Sequence, residues 1–173
     1  MDILAHMLWA NYGARAINKK QGRRKRPINL PWVTFWGVFP DLFAFGIPIA
    51  LGIFASIGNG FSDFHRPDML GLPATLYQYS HSLVIWAAVF IIAWIASKRP
   101  RLDLLGWALH ILIDIPSHSA SFYPTPFLFP LSDYRFIHGV SWSNTTYMII
   151  NYILLLIVSL YFFLPKKNRT PKK

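Results

Sequence analysis

Four stretches of the chain are almost free of charge. Leu30–Ile57 contains a single Asp, Lys or Arg, which is Asp41, and Met69–Ser97 contains none. Leu104–Ser132 carries only Asp114 of these types, and Gly139–Leu164 carries none. A bilayer core takes about 20 apolar residues of helix, and three of the runs are long enough for that. The run from Leu104 is shorter and Pro116 interrupts it, so it reads as a helix that ends or bends inside the membrane. The pattern predicts an all-α polytopic membrane bundle forming one domain, 1–173. Its four membrane segments are expected over 30–57, 79–97, 104–118 and 146–164. Residues 1–14 read as a short N-terminal helix, either lying at the interface or dipping into the bundle. No basic region precedes the apolar part of that helix, so it is not expected to be a cleaved signal peptide.

Composition agrees with the pattern. Apolar residues make up 54% and charged residues only 14% of the 173 residues, against roughly a quarter charged in a soluble domain. This excludes a disordered chain. The absence of cysteine excludes a disulfide scaffold, a thiol nucleophile and a cysteine-based zinc or iron–sulfur site. The formal net charge is +10, and the basic residues are grouped. They crowd into 15–27, the turn Lys98-Arg99-Pro100-Arg101 and the tail 165–173, with only Arg66 and Arg135 elsewhere. With four spans, all three groups fall on one side, which the positive-inside rule makes cytoplasmic. The expected location is therefore the cell inner (plasma) membrane, with basic loops that touch anionic lipid headgroups. A run such as KKQGRRKR also suits nucleic acid, but the shared sidedness of the other two groups argues for topology, and no specific nucleic-acid binding is expected.

The ionisable residues inside the apolar segments carry the chemistry. They are His6, Asp41, His81, His110 and Asp114, with His118 just beyond. Counted from the basic anchors at about 1.5 Å per residue, they lie roughly 14 to 25 Å from the basic side, so four segments bring them to one level. His110 and Asp114, four apart, share a helix face. Imidazole and carboxylate without thiolate suit zinc, iron or manganese better than copper(I). Pro40 opens the helix backbone beside Asp41. The competing reading is structural: a lone intramembrane His hydrogen-bonds a neighbouring helix, and His110 with Asp114 forms an ion pair. Against it stands the set, because no Lys or Arg in these segments neutralises the aspartates and a bound cation would. His65 and His138 fall in predicted outer loops, where a solvated role is expected.

At these residues the chain resembles the YdjM-like family of inner-membrane, metal-dependent hydrolases, also described as LexA-regulated. The likeness runs through ILAH (His6), FPDL (Asp41), YSHSL (His81), HILID (His110 and Asp114) and the aromatic FPLSDYRF stretch. The family looks distantly related to helical zinc-dependent phospholipases, so the resemblance implies His and Asp ligands and a hydrolytic activity. Two positions depart from the family pattern. Phe43 stands where a second acid often follows Pro-Asp, and no His-Arg pair precedes Ser80-His81-Ser82. Fewer ligands imply one metal in place of two or three, or a loss of catalysis.

Two functions from different classes follow. The first is a membrane metal hydrolase, with zinc held by His6, Asp41, His81, His110, Asp114 and His118. Asp41 or Asp114 would serve as general base, and Arg135 would steady a phosphate oxygen of a phosphoester or lipid-linked substrate. The second is a non-enzymatic protein, such as a small proton or metal-ion transporter built as a homo-oligomer.

Overall fold

The computed structural model describes residues 1–22, 26–57, 71–120 and 123–164. The basic tail 165–173, Arg23 to Lys25 and the predicted outer loop with His65 and Arg66 lie outside the described residues. Among the described residues the structure is helical, and its only strand-like feature is an isolated bridge between Ser119 and His138.

Local chemistry sets the helix ends. Helix α1 (Ile3–Gln21) starts where the Asp2 carboxylate accepts the Ala5 N–H at 3.0 Å, and it stops at Gly22, whose φ of 65° suits glycine. The N-terminal helix was expected over 1–14 and a basic loop over 15–27. Instead the helix runs on through Arg15, Lys19 and Lys20, because these straight-chain residues are good helix formers and the first two find partners on α7. The Arg15 guanidinium lies over the Phe163 ring and the Lys19 ammonium over Tyr161.

Helix α2 (Leu30–Asp41) is capped by Asn29 and has Pro31 in its first turn. Pro40 withholds its N–H near the end, and the chain passes through a π-helical turn, Leu42–Gly46, into α3 (Ile47–Ile57). The continuous stretch Leu30–Phe54 is long and apolar enough to cross a membrane. Helices α4 (Leu72–Ser80) and α5 (Leu83–Ser97) meet at a 58° bend and qualify as a span only together. The segment expected over 79–97 is thus broken at His81-Ser82. There Ser82 turns its hydroxyl to the Val84 and Ile85 N–H groups and restarts the helix. After a single 3₁₀ turn (Leu102–Leu104) comes α6 (Leu105–Ser117), and α7 (Thr145–Phe163) is the second unbroken span.

Among the described residues two helices are long and apolar enough to span, or three if the bent pair is one span, against the four membrane segments predicted. The segment expected over 104–118 is α6, whose 13 residues are too few to cross a bilayer core by themselves. It occupies the centre instead, packed against α1, α2 and α5. Glycine permits the tightest crossing. A Cβ on Gly106 would sit 2.1 Å from the Val33 carbonyl oxygen, and one on Gly37 would sit 2.5 Å from Ala10 Cβ. Small residues there let α1, α2 and α6 approach backbone to backbone. Beside this crossing Leu104, Trp107 and Ile111 build a core with Trp36, Phe39 and Trp86.

Candidate metal centre

Helices α1, α2 and α6 and the α4–α5 break deliver polar side chains to the space above that glycine crossing. Asp41 comes from the last turn of α2, just after Pro40. His81 sits at the break between α4 and α5, and its φ of −104° and ψ of 24° end α4. The break frees the Ser80 carbonyl, which accepts the Trp107 indole N–H at 2.6 Å. His110 and Asp114 come from one face of α6, as their spacing predicts.

Asp41, His81, His110 and Asp114 offer four ligand atoms that all lie within 4.8 Å of one another. Asp114 Oδ2 is 3.1 Å from His110 Nε2 and 3.5 Å from His81 Nε2. Asp41 Oδ1 is 3.5 Å from His81 Nε2 and 3.7 Å from His110 Nε2. The two Nε2 atoms face each other at 3.1 Å. The group could hold a metal ion. The second shell fits that use. His110 Nδ1 donates to the Gly37 carbonyl at 2.8 Å, and a carbonyl can only accept, so neutral His110 has a bare Nε2 aimed at the cluster. His81 Nδ1 is held at 2.9 Å by the Ser80 hydroxyl.

The other oxygen of Asp114 has its own surroundings. Oδ1 lies 2.6 Å from the Met1 amino group, 3.0 Å from His6 Nε2 and 3.5 Å from His118 Nε2. Neither His6 ring nitrogen forms a hydrogen bond among the described residues, although the ring is buried and stacks on His110 at 3.6 Å. A buried imidazole whose Nε2 faces a carboxylate oxygen at 3.0 Å is a donor set that suits a shared cation. His118 Nδ1 donates to the Tyr123 carbonyl at 2.8 Å, which leaves its Nε2 facing inward.

The six predicted ligands therefore share one carboxylate. Four converge directly, and His6 and His118 approach from the far side of Asp114. Arg135, expected at the site, is half-buried in the loop after α6, and among the described residues none of the cluster's ion pairs involves it. His138 is exposed, in line with its expected rim position.

Two contributors escaped the sequence. Tyr77 stacks on His81 with centroids 3.7 Å apart and reaches His118 Nδ1 through its hydroxyl at 3.1 Å. Its i, i+4 spacing from His81 was the available signal. The Met1 amino group had none, since a chain end carries no periodicity.

The cluster is sealed except at Asp41, whose side chain keeps 13% of its exposure while that of Asp114 keeps 1%. Asp41 and His118 border a cavity of about 630 Å3 whose other walls include Leu42, Phe45, Ile49 and Trp142. No protein-family model, curated protein or solved structure matches the chain.

Proposed function

We propose that the protein is a membrane-embedded, metal-dependent hydrolase acting on a phosphoester or lipid-linked substrate, with zinc as the metal. The observation that carries this reading is the convergence of two imidazole Nε2 atoms and two carboxylates, with His110 fixed in the ligating tautomer by the Gly37 carbonyl. A divalent ion supplies, when bound, Lewis acidity and a water that ionises near neutral pH. Asp41, His81, His110 and Asp114 would hold it, and His6 and His118 would steady the second Asp114 oxygen. Asp41, the one exposed member, is placed to take a proton from water at the cavity mouth. The apolar cavity walls favour a substrate with a hydrocarbon part. On this reading the basic ends face the cytoplasm of an inner-membrane protein and the cavity opens toward the opposite leaflet.

The sealed basic side of the cluster supports hydrolysis over transport. There the Gly37–Gly106 crossing and the Leu104–Trp107–Ile111 core fill the bundle. The YdjM-like resemblance in the Pro-Asp, Ser-His-Ser and His-x-x-x-Asp motifs points to the same class.

Metal content by mass spectrometry of detergent-purified protein tests the reading. Near-stoichiometric zinc, iron or manganese is expected in wild type and none in the His110→Ala/Asp114→Ala variant. An Asp41→Asn variant that keeps its metal is expected to lose turnover of phosphoester lipids by about 100-fold or more. Absence of metal from wild type purified without chelators overturns the proposal.

A further inference from the structure

We infer that the furrow between α1, α6 and α7 binds an anionic phospholipid from the leaflet on the basic side, at a site separate from the His/Asp cluster. The inference rests on the membrane placement of the chain and not on hydrolysis. α1 packs against both α6 and α7, and a cavity of about 670 Å3 lies between those two. Leu109 and Leu112 form its floor, Tyr12 and Gly13 one wall, and Leu154 and Val158 the other. At Ala16 and Phe162 it meets a second cavity of about 370 Å3, bordered by Lys19, Lys20 and Tyr161. An apolar channel thus ends at two ammonium groups.

Dimensions and charge together select the occupant. Lys19 and Trp9 are ten residues apart on α1, or about 15 Å, which is half of a roughly 30 Å hydrocarbon core. At that depth Trp9 Nε1 donates to Asn151 Oδ1 at 2.9 Å and ties α1 to α7. One acyl chain of one leaflet spans the distance from the lysines to this tie. The lining is mostly apolar, with Tyr12, Tyr147 and Asn151 as its polar residues, and the bilayer supplies hydrocarbon at this depth. At the open end the lysines meet the headgroup. Lys19 rests on the Tyr161 ring, 4.3 Å from its centroid, which holds one ammonium at the channel mouth. Paired cations at a membrane face favour a phosphodiester with net negative charge over a zwitterion.

Native mass spectrometry of the full chain in detergent, offered phosphatidylglycerol and phosphatidylcholine of equal chain length, tests this. Wild type is expected to retain one phosphatidylglycerol per chain with about a tenfold preference. The Lys19→Gln/Lys20→Gln variant is expected to bring the two lipids near parity. Gly13→Phe, which adds a ring at a residue lining the furrow, its Cβ 3.6 Å from Leu109 Cδ2, is expected to lose both. Lys98→Gln/Arg99→Gln removes as much charge elsewhere on the basic side and is expected to change nothing. Equal retention of both lipids by wild type, an equal drop in the Lys98/Arg99 variant, or phosphatidylglycerol retained by Gly13→Phe overturns the inference. So does a dimer that Gly13→Phe dissociates, which would give the furrow to a second copy. Metal content is expected to be unchanged in every variant, so failure here leaves the hydrolase reading standing.

Discussion

Helices α6 and α7 are both apolar, yet they lie in opposite surroundings. α6 is 13 residues long, buries seven of them and carries His110 and Asp114. α7 is 19 residues long, buries only Asn151 and Leu155, and exposes a belt that includes Ile149, Ile153, Leu156 and Leu160. A water-soluble monomer does not present such a belt, but a helix facing lipid does. In a bilayer, length and uniform apolarity mark the helix that meets hydrocarbon. The helix that carries His110 and Asp114 is shorter, because its polar face must be surrounded by other helices and not by lipid.

The strongest test of this contrast is steric. Gly106→Val places a Cβ 2.1 Å from the Val33 carbonyl oxygen, where only backbone movement relieves the clash. Separating α2 from α6 also pulls the Gly37 carbonyl away from His110 Nδ1. The expected loss is about 3 kcal/mol. Leu156→Ala on α7 removes a side chain already 58% exposed and is expected to cost less than about 0.5 kcal/mol. Thermal unfolding of both variants in one detergent measures the difference. Equal shifts would mean that α6 is not the centre of the bundle.

Much of α6 and its partners was legible because their signals are local. His110-x-x-x-Asp114 needs only the helical period, Asp41 announced itself beside Pro40, and the charge-free runs gave α2, α5 and α7. What was not legible depends on tertiary contacts. Lys19 and Arg15 read as loop residues because their aromatic partners, Tyr161 and Phe163, lie some 140 residues further along the chain. No Gly or Pro stands at Ser80-His81-Ser82, so the bend there was hidden. It depends on Trp107 donating its indole N–H to the freed Ser80 carbonyl.

Polar groups packed against α6 and those on α7 are expected to differ in function and not only in depth. Ser80 holds His81 Nδ1 at 2.9 Å, so Ser80→Ala frees the imidazole to rotate. Loss of such a second-shell contact is expected to weaken metal affinity about 10- to 100-fold while the fold persists. On α7, Ser159 bonds the Leu155 carbonyl at 2.7 Å and also meets the Tyr12 hydroxyl. Ser159→Ala is expected to leave metal affinity unchanged. Titration of each apo variant with zinc in detergent checks both. A matching loss in Ser159→Ala would show that affinity reports general loosening and not the site.

The smallest effect separates the entrances of the two helices. α6 is entered through Arg101 and Asp103, whereas α7 is entered through Asn144, a neutral cap. Burial pushes the Asp103 carboxyl up, but Arg101 donates from Nε at 3.0 Å and from Nη2 at 2.9 Å. With a backbone hydrogen bond added, these contacts hold its pKa below the ordinary value. A depressed carboxylate contributes stability that is complete above its unfolded pKa and disappears as pH falls through the folded one. The stability gap between wild type and Asp103→Asn should therefore be flat at neutral pH and close on acidification below about pH 4. Arg101 is largely solvated, so screening limits the gap to about 0.5–1 kcal/mol. Asn144→Asp supplies the matching control on α7, where no basic partner stands in the first turn. A gap for Asp103→Asn that stays constant down to pH 3 would mean that the carboxylate acts by packing at the start of α6 and not by charge.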